Sequence, residues 1–215
     1  VGALAGHWAL DHEGGLFGRD KETVFTTGLV ALSAKMAKAD GVVTRDETSA
    51  FFDIVHVTDA DRPRVEKLFE LAKQTSAGFE AYAHQIADLF DDEPQLREDV
   101  VDGLFHIAKA DGAVHEDELR NLEEIARILG FEGREWERIR ARHVRMADDP
   151  WLVLGAQRDW DDEQLRRHYR KLVLENHPDR QIALGLPREA VNIATSRLSA
   201  INEAWERVSR ERGIR

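Results

Sequence analysis

An all-α fold is predicted by three features of this 215-residue chain. Apolar residues recur at helical spacing in successive segments, and no stretch shows convincing strand alternation. A helix–turn–helix signal occurs twice, 71 residues apart. The last third reads as two amphipathic helices separated by a proline bend. With 42% hydrophobic and 33% charged residues, the chain is too apolar for a disordered one. Its length suits one large domain or two small ones. The absence of cysteine excludes a disulfide framework, a thiol nucleophile and a cysteine-ligated zinc site.

The chain opens on Val1–Leu10, apolar except for His7. This is about half the roughly 20 residues of a spanning helix. Gly2 and Gly6 have the spacing of packed membrane helices, and Trp8 would suit a membrane interface. Two readings stay open: a terminal segment without fixed structure, or the C-terminal end of a membrane anchor. Residues 1–20 are treated as a leader.

Residues 37–47 read AKADGVVTRDE and residues 108–118 read AKADGAVHEDE, identical at eight of eleven positions. Such repeats predict an internally duplicated domain. In each copy a helix ends near Lys38 or Lys109, and Gly41 or Gly112 supplies a left-handed cap. Thr44-x-x-Glu47 is a capping box that starts the next helix. His115 takes the cap position in the second copy, with Val114 and Leu119 as a hydrophobic staple. The preceding helices carry Leu29, Leu32 and Met36, and Val101, Leu104, Phe105 and Ala108. Further helices are expected over 60–74 (Val65, Leu68, Phe69, Ala72), 79–90 (Phe79, Tyr82, Ile86, Leu89) and 133–146 (Trp136, Ile139).

The repeat overlaps the second half of a calcium-binding loop. Met36 and Lys38, or Ile107 and Lys109, would occupy loop positions 1 and 3, where calcium needs oxygen ligands. That argues against a regular EF-hand. A pooled metal site would require Asp40, Glu47, Asp111 and Glu118 to converge; as cap and turn residues they need no metal. This region resembles the tellurite-resistance TerB family, with its duplicated helix–KADG–helix pattern, over roughly residues 22–146. The resemblance implies a helical scaffold, associated with stress responses, whose acidic corners have been discussed as metal ligands.

The charge balance changes near Asp149-Pro150. Residues 1–148 carry 18 Lys/Arg and 30 Asp/Glu, whereas residues 149–215 carry 12 and 11. The net charge of −11 argues against a general nucleic-acid binder, which needs a basic footprint. Pro150 suits the first turn of a short helix bearing Trp151, Leu152 and Leu154, which Gly155 ends. Asp161 caps the next helix, with Gln164 completing a capping box. Leu165, Tyr169 and Leu172 form its apolar stripe. Arg166, Arg167, Arg170 and Lys171 lie on another arc as two like-charged i,i+4 pairs, an arrangement that does not stabilise a helix. Pro178 disfavours helical geometry at His177, so His177-Pro178-Asp179 must bend. A loop, QIALGLP, follows Arg180. A long helix over about 188–211 carries Ala194, Leu198, Ile201, Trp205 and Val208, and packs back to make an antiparallel hairpin with the bend at its tip.

The residues WLVLG at 151–155, LRRHYRKLVLENHPD at 165–179 and INEAWE at 201–206 resemble a J domain, the signature of DnaJ-type co-chaperones. The resemblance implies that His177, Pro178 and Asp179 dock on a DnaK-type heat-shock chaperone, at the joint between its nucleotide-binding domain and linker. Arg166, Arg167, Arg170 and Lys171 would meet an acidic surface, and docking would favour ATP hydrolysis. No Gly/Phe-rich, zinc-ribbon or client-binding segment appears, so the expected role is recruitment. The division is a leader over 1–20, a TerB-like domain over 21–147 and a J domain over 148–215. That order resembles the membrane-anchored, DjlA-type co-chaperones of bacteria. It implies a cytoplasmic body, tethered through the N-terminus to the inner membrane, with homodimerisation as a further expectation. The rival reading is a metal-responsive, TerB-like stress or binding module. An enzyme is not expected: Pro178 separates His177 from Asp179, and no nucleophile, catalytic metal cluster or glycine-rich phosphate loop accompanies them. No cofactor is implied.

Overall fold

A computed structural model describes residues 21–36, 52, 63, 66, 67, 79–110, 112, 114–144, 149–186 and 188–214. All regular structure among the described residues is helical. The elements are α1 (Lys21–Met36), α2 (Phe79–Leu89), α3 (Pro94–Ala108), α4 (Glu116–Ile128), α5 (Arg134–His143), α6 (Pro150–Leu154), α7 (Asp162–Glu175), α8 (Pro178–Ala183) and α9 (Arg188–Arg212). They form two compact units, residues 1–130 and 131–215. The boundary expected at 147/148 falls in the segment 145–148, outside the described residues.

In the first unit α1 packs on α2 and α3, and α4 packs on the same two helices. From Gly28 to Met36, α1 is buried on every side, as befits a central helix. Gly28 lets α2 approach closely: a Cβ there would stand 2.7 Å from the Ile86 side chain. Phe25 and Phe90 meet edge to face, with ring centroids 6.5 Å apart. Proline opens α3, where its missing N–H removes no helical bond. The expected stripe of Val101, Leu104, Phe105 and Ala108 is buried.

The second repeat corner follows the predicted grammar with one shift. Lys109 is the C-cap of α3, and Gly112, at φ +111°, sits three residues beyond it. Its N–H donates to the Lys109 carbonyl, so the left-handed residue closes a following turn rather than the helix end. His115 is the N-cap of α4, as expected. The Glu118 carboxylate accepts from the His115 N–H at 2.8 Å. The first corner, including Asp40, Gly41, Thr44 and Glu47, lies outside the described residues. So does most of the helix expected over 60–74, of which Pro63, Glu66 and Lys67 are described and helical.

In the second unit α6 packs on α5 and α9, and α7 and α8 both pack on α9. Asp149 caps α6 by accepting from the Trp151 N–H at 3.0 Å, and Pro150 occupies the first turn. Gly155 ends the helix at φ +64°, a conformation that side chains resist. The core holds Trp151, Leu154, Ala156, Leu165, Leu172, Ile201, Ala204 and Val208, with Tyr169 and Trp205 at its margin. Each large apolar side chain buried here contributes about 1.5–3 kcal/mol.

A polar clasp joins the C-terminal end of α9 to α6 and to the segment that leads into α7. Trp151 Nε1 donates to Glu211 at 3.0 Å, and Arg158 pairs with both Glu211 and Asp149. Arg212 donates to the Arg158 and Trp160 carbonyls and to Asp162.

Candidate functional site

The site begins with a well-anchored helix. Asp161 Oδ1 accepts from the Gln164 N–H at 2.7 Å, and Gln164 Oε1 accepts from the Asp161 N–H at 2.9 Å. This reciprocal capping box fixes the start of α7, as its sequence predicts. Leu165 and Leu172 face the core, whereas Arg166, Arg167, Arg170 and Lys171 are exposed. Between the hairpin arms Tyr169 stacks on Trp205 at 4.5 Å and donates to Asn202 Oδ1 at 3.0 Å. Partial burial raises the Tyr169 phenol above its usual 10.0, and the Glu206 charge adds to the shift.

The ridge is not a run of like charges alone. Arg167 donates to Glu163 at 3.1 Å, and Lys171 lies 3.7 Å from Glu175. Both are i,i+4 pairs of opposite charge, so the helix has local compensation that the basic residues alone did not reveal. Arg170 Nε donates to the Arg166 carbonyl at 3.2 Å. These exposed pairs contribute little to stability and leave a positive surface outward.

Helix α7 ends at Asn176, and the chain turns at His177. His177 has φ −70° and ψ 129°, the extended geometry imposed by the following proline. The bend is also a beginning. His177 is the N-cap of α8, and its Nδ1 accepts from the Asp179 N–H at 3.2 Å. The QIALGLP segment expected as loop therefore starts as helix: proline at a first helical position starts a turn as readily as it stops one. The His177 and Asp179 side chains are 48% and 88% exposed. Asp179 Oδ2 lies 3.7 Å from His177 Nδ1. The elbow thus stands outward beside the basic ridge, with an imidazole, a carboxylate and Arg180 accessible.

Two features of this tip were not evident from apolar periodicity. Leu174, Ile182 and Leu184 are 63%, 63% and 61% exposed, and all flank the elbow within the chain. They make it apolar as well as charged. Beneath it, Asn176, Gln181 and Arg197 are buried. Arg197 could have been noticed, because it stands three residues after Ala194 and four before Ile201, inside the predicted apolar stripe.

Of the metal candidates, Asp40, Glu47 and Asp111 lie outside the described residues. Glu118 is buried and serves the cap of α4. Among the described residues no group of three or more His, Asp or Glu side chains could hold a metal ion. Burial lowers the Lys109 ammonium below its usual 10.5, while nearby Asp102 works in the opposite direction. No helix among the described residues is long and apolar enough to cross a membrane. The apolar run Val1–Leu10 lies outside them.

An elbow of His, Pro and Asp between a basic helix and a long returning helix, closed by a small helix at the base, defines a J domain. The family described as DnaJ domain matches residues 149–214, and that described as Tellurite resistance protein TerB matches residues 26–141. The chain belongs to the TerB family and carries a DnaJ domain C-terminal to the TerB region. Co-chaperone protein DjlA of Vibrio cholerae serotype O1 is 25% identical over 231 residues, covering 91% of this chain and 81% of that protein. The protein of the same name from Aliivibrio fischeri is 25% identical, covering 94% and 83%. That from Coxiella burnetii is also 25% identical, covering 90% and 79%. No solved structure matches the chain.

Proposed function

We propose that this protein is a co-chaperone that stimulates ATP hydrolysis by a DnaK-type heat-shock chaperone. The observation that carries the reading is the exposed His177-Pro178-Asp179 elbow beside an outward basic ridge. The names of the relatives and the DnaJ match support it.

The chemistry follows from charge and direction. Arg166, Arg167, Arg170 and Lys171 steer the domain toward an acidic surface, which raises encounter rate and fixes register more than it raises affinity. Asp179 offers a carboxylate to a partner arginine, a directional charge-assisted bond. The exposed leucines and isoleucine add apolar contact where the ridge ends. Stimulation requires that docking favour the hydrolysing conformation of the chaperone over the resting one. The residues transfer no group themselves, so the protein acts as a regulator of another protein's ATPase. The TerB-like region would position this module, dimerise or select clients. Tethering through the N-terminal segment to the cytoplasmic face of the bacterial inner membrane would raise the effective concentration of a weakly docking domain.

The test is single-turnover ATP hydrolysis by a DnaK-type chaperone, with and without the full chain. Wild type should accelerate hydrolysis and His177→Gln should not. No stimulation across several such chaperones, or equal stimulation by His177→Gln, overturns the proposal.

A further inference from the structure

We propose that Arg197, Asn176 and Gln181 form a polar brace that sets the direction of the His177-Pro178-Asp179 elbow, and that all three are positioning residues for chaperone stimulation. The inference rests on the co-chaperone reading for its function, but its geometry stands apart from that reading.

The three side chains are 3%, 3% and 1% exposed, so none can be part of a docking surface itself. They come from three elements: Arg197 from α9, Asn176 from the end of α7, and Gln181 from α8. Arg197 Nη1 donates to Asn176 Oδ1 at 3.1 Å. Asn176 Nδ2 in turn donates to the Leu172 carbonyl at 2.8 Å, which also accepts from the Asn176 N–H at 3.1 Å. Gln181 Nε2 donates to the Glu175 carbonyl at 2.6 Å. Both carbonyls belong to the last turn of α7, and that of Glu175 is one for which the helix itself has no partner to offer. From the far side, the His177 carbonyl accepts from the Arg180 and Gln181 N–H groups at 3.0 and 3.2 Å. His177 is therefore pinned on both flanks, through Asn176 to α9 and through Gln181 to α7.

The arrangement is an expensive way to fill space. A guanidinium buried to this degree is costly unless it is well bonded, and a leucine in the stripe would pack without that cost. Gln181 Oε1 is buried with no hydrogen-bond partner among the described residues. Apolar contacts are non-directional, whereas these hydrogen bonds fix angles. The brace gives the tip direction where the apolar core, made from Leu172 and Ile201 downward, gives only attachment.

The experiment compares the full-length wild type, Arg197→Met, Arg197→Lys, Gln181→Met and His177→Gln. Three readouts are taken: thermal unfolding, hydrogen exchange of the Arg180 and Gln181 amides, and single-turnover ATP hydrolysis against co-chaperone concentration. With the ridge intact, Arg197→Met and Gln181→Met should leave the half-maximal concentration nearly unchanged. Their maximal stimulation should fall about two- to thirtyfold, the usual range for weakened coupling between sites. Exchange at Arg180 and Gln181 should accelerate while the middle of α7 keeps its protection. Arg197→Lys should recover part of the loss. Gln181→Met also covers the outcome that Arg197→Met does not fold.

Unchanged exchange in both methionine variants overturns the brace, whatever the ATPase does. So does a loss of stimulation no greater than the unfolded fraction explains. If wild type itself gives no stimulation, the co-chaperone reading fails, and exchange alone still decides whether the elbow is braced.

Discussion

A matched pair of leucines on α7 offers the sharpest test of how this hairpin divides stability from docking. Leu165 is 1% exposed in the core, and Leu174, nine residues further along the same helix, is 63% exposed beside the elbow. Both are to be replaced by alanine, so the chemistry removed is identical. At Leu165 the loss combines transfer and cavity terms and costs about 2–5 kcal/mol. For a unit of this size, about 3 kcal/mol lowers Tm by about 12–24 °C. At Leu174 the stability change should stay within about 0.5 kcal/mol, because exposed substitutions remove little. Its consequence should be functional. If the side chain contributes about 1.4 kcal/mol to docking, the half-maximal concentration for ATPase stimulation rises about tenfold. Thermal melts followed by helical circular dichroism supply the first number and single-turnover hydrolysis the second. A melt of Leu174→Ala as low as that of Leu165→Ala would refute the assigned faces of α7. Normal stability with normal stimulation would remove the apolar rim from the docking face.

The remaining expectations are narrower. Charge reversal at Arg166 and Arg170 should weaken stimulation strongly at about 0.01 M salt and little at about 1 M, where the Debye length has fallen from about 30 to about 3 Å; a loss independent of salt contradicts steering. Gly155→Ala should cost about 1–2 kcal/mol, since φ is +64° and the left-handed region penalises a Cβ. The nearest obstacle, Arg138 Cδ at 3.0 Å from that Cβ, can swing aside, so an unchanged melt would show that the backbone had relaxed. Tyr169 should titrate above 10.0 by ultraviolet absorbance, and Glu206→Gln should lower its midpoint while leaving it raised, because burial is the larger cause. Above pH 10 the unfolded chain loses this proton first, so stability should fall with rising pH until the folded state has also ionised.

Signals that depend on neighbours in the chain were legible in the sequence. The capping box at Asp161 and Gln164, the left-handed Gly155, and the stripe through Ile201 and Val208 all appear where local spacing puts them. The tip was legible as a bend, because proline restricts the residue before it. That the same proline starts α8 depends on where the chain goes next. The brace leaves no such local signal. Asn176 and Gln181 read as ordinary polar residues near a turn, and their burial follows from α9 returning over them. The compensation of the ridge by Glu163 and Glu175 was missed because a count of positive charge did not include the acids one turn away on the same helix.

The long returning helix is the element that lets one small unit be both firmly held and accurately shaped at its tip. Val208 sits in the apolar core and Arg197 under the elbow, eleven residues and about 16 Å apart on the same rigid rod. Near Val208, burial and the Arg212–Asp162 bond hold the hairpin arms together, and the Trp151–Glu211 bond ties the returning helix to α6. Near Arg197, hydrogen bonds orient a tip whose His177 and Asp179 side chains remain in solvent. A tip stabilised by apolar burial would have to cover His177 or Asp179, and so hide the groups it displays. Directional polar support from beneath avoids that conflict. It also predicts a separation: damage to the clasp should lower the melting temperature and leave the exchange of the elbow amides in the folded state unchanged, while damage to the brace should loosen those amides in a hairpin that still folds.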